Sequence, residues 1–180
     1  MNETFETGSF DFFKEKGFYR LFEKIARPII IADRLRTPEN MGSVLRLAGN
    51  IGAAKVIFIK DEEYPEARNW KIKKTASGAD KKVQWEFCKS HELFDHIPED
   101  YVLTALETTP SATNLFETEL PQKMAVVIGN EVHGIEEALL KKAEKTVFIP
   151  VPGVISSLNV THALSVILFE WLRTNLSGLH

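Results

Sequence analysis

The chain alternates short apolar runs with segments of helical periodicity. Ile29-Ile30-Ile31-Ala32 is continuous and mostly β-branched, the pattern of a strand buried on both faces of a sheet. Lys55–Ile59, Tyr101–Leu106, Ala125–Ile128 and Thr146–Ile149 repeat it, and the weaker alternation of Val83–Phe87 suits an edge strand. Helices fall between. One carries Val44, Leu45, Leu47, Ala48 and Ile51, with Asn40 placed to cap it and Gly52 to stop it. A short one is expected from Ile135 to Ala143, after a turn at Gly134. In the last, Val160, Ala163, Leu164, Ile167, Leu168, Trp171 and Leu172 share one face, and Ser156 or Ser157 stands where a cap belongs. Val166 and Phe169 make the opposite face apolar as well, which predicts a helix packed between two surfaces, the second able to be another subunit. This alternation predicts an α/β domain with a mainly parallel sheet flanked by helices.

Residues 1–27 differ in character. Phe10, Phe12, Phe13, Phe18, Tyr19, Leu21 and Phe22 predict a short helical extension that packs onto a domain spanning residues 28–180. A length of 180 residues suits one such core. The start, MNETFETGSFDFF, lacks the basic region of a secretory signal, and no apolar run approaches the roughly 20 residues of a membrane span. Cys88 is the only cysteine, so neither an internal disulfide nor a cysteine-rich zinc site is expected. His91, His96 and His162 show no metal-ligand spacing. The expectation is a cytoplasmic protein with no metal and no membrane.

A net charge of −3 counts mildly against a nucleic-acid partner, but the charges are segregated. Arg68–Lys82 sets Arg68, Lys71, Lys73, Lys74, Lys81 and Lys82 against Asp80 alone. Arg34, Arg36 and Arg46 form a second basic group, while acids gather at Asp61–Glu66 and Glu117–Glu119.

Three polar loops follow strands, and ligands of parallel α/β folds collect at the carboxyl ends of strands. The first opens the helix Asn40-Met41-Gly42-Ser43-Val44-Leu45-Arg46, where a permanently charged guanidinium sits in an apolar pattern and needs an anion or acceptor. The second is Ile128-Gly129-Asn130-Glu131-Val132-His133-Gly134, a strand end whose glycines bracket a carboxylate. The third, Ile149-Pro150-Val151-Pro152-Gly153-Val154-Ile155-Ser156-Ser157-Leu158-Asn159, bends before the last helix. No G-x-x-x-x-G-K-[ST], G-x-G-x-x-G or G-x-S-x-G is present, which argues against a nucleotide-binding enzyme or a hydrolase of those types.

In order and spacing these loops resemble the three motifs of the SpoU (TrmH-like) branch of the SPOUT RNA methyltransferases: N-x-G-x-x-x-R, then L-G-x-E-x-x-G, then I-P-x-x-G-x-x-x-S-L-N-V. The resemblance covers roughly Pro28 to Arg173. It implies a SPOUT α/β fold with a C-terminal trefoil knot, a homodimer formed through the first and last helices, and a pocket that borrows residues across the interface. It implies S-adenosylmethionine as cofactor and transfer of its methyl group to a ribose 2′-hydroxyl of tRNA or rRNA. The matching cofactor positions are Leu106, Glu107, Thr108, Ile128, Gly129, Asn130, Gly134, Ile149, Pro150, Ser157 and Leu158. The matching catalytic positions are Arg46, Asn40, Glu131, Ser157 and Asn159.

Arg46 is the central residue by resemblance, described in the family as a base acting with an RNA phosphate. A fixed cation that holds a phosphate and steadies the developing 2′-oxyanion fits guanidinium chemistry at least as well. Asn130 and His133 depart from the usual second motif but leave its glycines and Glu131 in place. The alternative function is a non-catalytic RNA-binding protein on the same scaffold, against which Asn40, Arg46 and Glu131 stand. In either case Arg34, Arg36, Arg46 and the Arg68–Lys82 stretch are the expected phosphate contacts.

Overall fold

The β-branched runs become strands of one sheet in the computed structural model, which describes residues 9–62 and 69–177. The strands are β1 (Ile29–Asp33), β2 (Lys55–Ile59), β3 (Trp85–Cys88), β4 (Val102–Leu106), β5 (Thr113–Asn114), β6 (Met124–Ile128) and β7 (Lys145–Phe148). They lie in the order β3-β2-β1-β6-β4-β7-β5, and every pairing is parallel. The two-residue strand β5 has no counterpart in the sequence pattern, since two residues are too few to carry a period.

The register explains why the strands are apolar on both faces. Ile30 lies beside Val56 and Val126, and Ile31 beside Ile57 and Val127. Ile30, Ala32, Val56, Phe58, Val126 and Ile128 therefore form one face, and Ile29, Ile31, Ile57, Ile59, Ala125 and Val127 the other. The first face is covered by α2 (Pro38–Ile51), α3 (Asn69–Ala76) and α5 (Val160–Ser177). The 3-10 helix Ser90–His96 and α4 (Glu137–Leu140) cover the second, through Leu93 and Leu139. Fully burying a side chain of this size stabilises the fold by roughly 1.5–3 kcal/mol. Trp171 anchors α5: it is fully buried, and its indole N–H donates to the carbonyls of Pro121 and Gln122 at 3.0 and 3.2 Å.

Several boundaries differ from the expected ones. Asn40 does not cap α2. Thr37 does: its Oγ1 accepts from the Asn40 N–H at 3.3 Å, and Pro38, whose missing N–H costs nothing at the first helical position, starts the helix a turn earlier. Gly52 ends α2 in the left-handed conformation, φ 71°. Neither Ser156 nor Ser157 caps α5; Asn159 does, its Oδ1 accepting from the Thr161 N–H at 2.8 Å and Thr161 Oγ1 at 2.7 Å. The helix expected over 135–143 shrinks to Glu137–Leu140, with a turn after it.

At the N-terminal side, α1 (Ser9–Glu15) and a 3-10 helix (Phe18–Glu23) precede β1. Phe22 and Ile25 pack against the same core as α2. Phe12 and Phe13 instead remain exposed, against the expectation that the aromatics pack down, and meet edge to face at 5.4 Å. The side chains of Phe10, Phe18, Tyr19 and Leu21 lie outside what is described.

Candidate active site

The insertion of β6 between β1 and β4 makes that place a topological switch point, and loops after β1, β4, β6 and β7 converge on one edge of the sheet. The loops after β4, β6 and β7, with the start of α5, line a cavity of about 340 Å³, and the loop after β1 lies beside it. Of the expected cofactor positions, Leu106, Glu107, Thr108, Gly129, Asn130, Gly134, Ile149, Ser157 and Leu158 line it, together with Glu131 and Asn159. Ile128 does not, because its side chain is spent in the core, and Pro150 does not either. Phe148, Val151, Ser156 and Val160 line the cavity as well and escaped the sequence reading.

The loop after β6 is folded on itself. Asn130 and Gly134 exchange backbone hydrogen bonds at 3.0 and 2.9 Å. A Cβ on Gly129 would lie 2.3 Å from the Gly134 carbonyl carbon, so no other residue fits there without moving the backbone. The Asn130 carboxamide closes the turn, accepting from Val132 and His133 N–H at 2.9 and 3.2 Å and donating to the Arg34 carbonyl at 2.6 Å. Glu107 braces the same loop from β4, accepting from the Thr108 and Ile135 N–H groups at 2.9 and 3.0 Å.

Glu131 then ties the loop to α2. One carboxylate oxygen accepts from the Arg36 N–H at 2.9 Å, and the other from Asn40 Nδ2 at 2.8 Å and from the Thr37 N–H and Oγ1, each at 3.3 Å. Partial burial, the largest single influence, raises its pKa. The donors from Arg36, Asn40 and Thr37 together outweigh burial and hold the carboxyl below the usual glutamate value. Asn40 Oδ1 in turn accepts from Asn159 Nδ2 at 3.5 Å. The three sequence motifs are thus joined by one hydrogen-bonded chain, Glu131 to Asn40 to Asn159 to the first turn of α5.

The basic residues divide. Arg34, at φ 50°, is held by the fully buried Asp33 (Nε to Oδ1 2.8 Å) and by Glu136 at 3.5 Å. The hydrogen bond to Asp33 raises the Arg34 pKa further. It is committed to structure, which its sequence position did not reveal. Arg46 is exposed on the outer face of α2 beside Glu39, Ser43 and Asn50, and not in the helix's apolar stripe. It is not among the residues lining the cavity of its own chain. Arg36, Lys73, Lys74, Lys81 and Lys82 are exposed, and Lys71 lies 3.6 Å from Glu39. Arg68 lies outside the described residues. His133 is exposed on the rim of its loop. Among the described residues no group of His, Cys, Asp or Glu could hold a metal ion.

Residues 150–158 form no backbone–backbone hydrogen bond with any described residue, which leaves their polar groups open along one wall of the cavity. Val151, Ser156, Ser157 and Leu158 of this segment line the cavity, while Val154 and Ile155 are exposed outside its lining.

Comparison with known proteins points to one family. The family model described as SpoU rRNA Methylase family matches residues 27–169. The chain is 31% identical over 147 residues to the 23S rRNA (guanosine-2'-O-)-methyltransferase RlmB of Xylella fastidiosa, covering 81% of this chain and 58% of that protein. The SpoU methyltransferase AviRb of Streptomyces viridochromogenes, in complex with AdoMet, superposes with a TM-score of 0.76 at 25% identity over 86% of this chain and 60% of that one. A structure described as an RNA 2'-O ribose methyltransferase superposes with a TM-score of 0.72 at 29% identity, over 84% of this chain and 59% of that one. The chain spans 58% and 64% of the length of two curated relatives it matches.

Proposed function

Because the chain belongs to the SpoU rRNA Methylase family, we propose that it is an S-adenosylmethionine-dependent RNA methyltransferase that methylates a ribose 2′-hydroxyl in tRNA or rRNA. The observation that carries this is the junction of the three motifs, Glu131–Asn40–Asn159, at the mouth of a cavity of ligand size. Leu106, Phe148, Ile149 and Leu158 offer an apolar slot for an adenine, and the open backbone of residues 150–158 offers polar contacts for the rest of the molecule. The residues present therefore fit the cofactor, whose sulfonium supplies an already activated methyl group.

What remains for the protein is positioning and charge. Asn40 and Glu131 hold the start of α2 at the cavity, and Ser157 and Asn159 close its wall. Arg46 acts as a fixed cation, holding an RNA phosphate and stabilising the ribose oxygen as its proton passes to solvent water. Its place on the outer face of α2, away from its own cavity, supports a homodimer in which each Arg46 completes the partner's site. Helix α5, which carries apolar residues on more than one face and leaves Phe169 exposed, supports the same assembly. The C-terminal trefoil knot belongs to this reading, and the insertion of β6 between strands already laid down supports it. So does action in the cytoplasm; among the described residues no helix is long and apolar enough to cross a membrane.

Mapping 2′-O-methyl positions in cellular RNA with and without this protein tests the activity, and loss of at least one position is expected. RNA binding without transfer would replace the proposal with the non-catalytic alternative. For the role of Arg46, Arg46→Lys is expected to lower the transfer rate about 100-fold while cofactor binding is kept. Full activity in that variant would rule out a specific guanidinium role.

A further inference from the structure

We propose that the solvent face of α3 is a stacking platform for unpaired RNA, on which Trp70 takes a base and the lysines around it take phosphates. The inference rests on the RNA methyltransferase reading and adds how the RNA is held outside the cavity. Helix α3 buries Ile72 and Ala76 against α2 and leaves Trp70, Lys73 and Lys74 exposed at i, i+3 and i+4. Trp70 is 58% exposed. The other two tryptophans have structural work: Trp171 is buried in the core, and Trp85 donates its indole N–H to the Asp80 carbonyl at 3.0 Å. Among the described residues none accepts a hydrogen bond from the Trp70 indole.

The surroundings are cationic. Lys71 Nζ lies 5.9 Å from the Trp70 ring centroid, and the turn after α3 adds exposed Lys81 and Lys82. Residues 69–82 hold five lysines against Asp80, in a chain of net charge −3. The placement also suits the site. Gly42 and Gly49 are the α2 positions that face α3 and the turn after it, and Arg46 lies one turn from each. Lys71 meets Glu39, next to Asn40. A strand that leaves the platform across the exposed face of α2 meets Arg46 there.

A flat exposed ring within lysines fits a single strand best. A base can stack on it only when unpaired, and the lysines follow the backbone without reading sequence. A protein partner is the poorer fit, because lysine is depleted where protein surfaces bury each other.

The test is equilibrium binding of the whole chain to labelled single-stranded RNA of about 15 nucleotides, with a blunt RNA duplex as comparison. Trp70→Ala is expected to weaken single-strand binding about tenfold and leave duplex binding unchanged, while Trp70→Phe, which keeps a stacking ring, stays within about threefold of the natural chain. Replacing Lys73 and Lys74 together with glutamine is expected to lower the slope of log affinity against log salt by about 1.4. Binding by Trp70→Ala as tight as by the natural chain overturns the platform alone. So does a change in oligomeric state without a change in RNA affinity, which would make Trp70 a protein contact. A natural chain that binds neither RNA overturns the function proposed above as well.

Discussion

Glu131 accepts hydrogen bonds from three residues on the far side of the site, and both carboxylate oxygens are used. In Glu131→Gln one acceptor oxygen becomes an NH₂ group, which faces either the Arg36 N–H or the Asn40 carboxamide as donor against donor. After allowance for its exposure, a loss of about 1 kcal/mol at pH 7 is expected. The pH dependence has a definite sign. A carboxyl held below its usual pKa stabilises the fold fully above the unfolded value and ceases to do so as pH falls through the folded one. The difference in unfolding free energy between the natural chain and Glu131→Gln should therefore shrink as pH falls below the usual glutamate range, read by urea titration at several pH values. A difference that grows in acid would show that Glu131 does not act as the ionised acceptor. Asp33 is the quieter partner of this system. Fully buried, it accepts from Arg34 and from the Glu136 N–H at 2.7 Å, fixing the loops after β1 and β6 together.

At the scale of elements, α2 is where site and core meet. Its apolar stripe packs on the sheet, its first turn carries Asn40, and its outer face carries Arg46. Two glycines on it behave oppositely. A Cβ on Gly42 would lie 2.5 Å from the Ile72 carbonyl oxygen and 2.6 Å from Thr75 Cβ, so α3 would have to move away. A Cβ on Gly49 would meet only Val83 Cγ2 at 3.5 Å and Ala79 Cβ at 3.6 Å. Gly42→Ala is expected to destabilise the fold by roughly 1–3 kcal/mol. Gly49→Ala is expected to stabilise it by roughly 0.5–1 kcal/mol, since alanine is the better helix former. Denaturant midpoints of the two variants check the pair, and equal shifts would show that the close approach of α2 and α3 is wrongly placed.

At the scale of the whole molecule, four of the exposed large apolar side chains among the described residues, Val154, Ile155, Leu158 and Phe169, lie on α5 and the loop before it. Phe169 is 50% exposed, and Val154 and Ile155 are 102% and 70% exposed. If a second copy covers this surface and supplies Arg46, Phe169→Asp should shift sedimentation from dimer toward monomer and lower methyl transfer in parallel, because a buried unpaired carboxylate is costly. A natural chain that sediments as a monomer at high concentration would end the shared-site interpretation.

Much of this protein was legible in its sequence because the signals are local. A strand buried on both faces is apolar at most positions, so β1, β2, β4, β6 and β7 appear as continuous runs, correct to within a residue or two. The cavity-lining glycines of the second motif were legible for the same reason: a backbone that approaches another backbone tolerates no Cβ. What stayed hidden depends on pairing at long range. Thr37 caps α2 while the Asn40 side chain is taken by Glu131, ninety-one residues away, a pairing that no local pattern carries. That Arg34 is held by Asp33 while Arg46 stands free on an outer face depends on which way each side chain leaves its backbone, and their common charge carries no sign of it. The residue types and the order of the three motifs are set by the sequence alone. Their meeting at one cavity was decided by the parallel sheet, whose strand order brings the ends of β1, β6, β4 and β7 to a single edge.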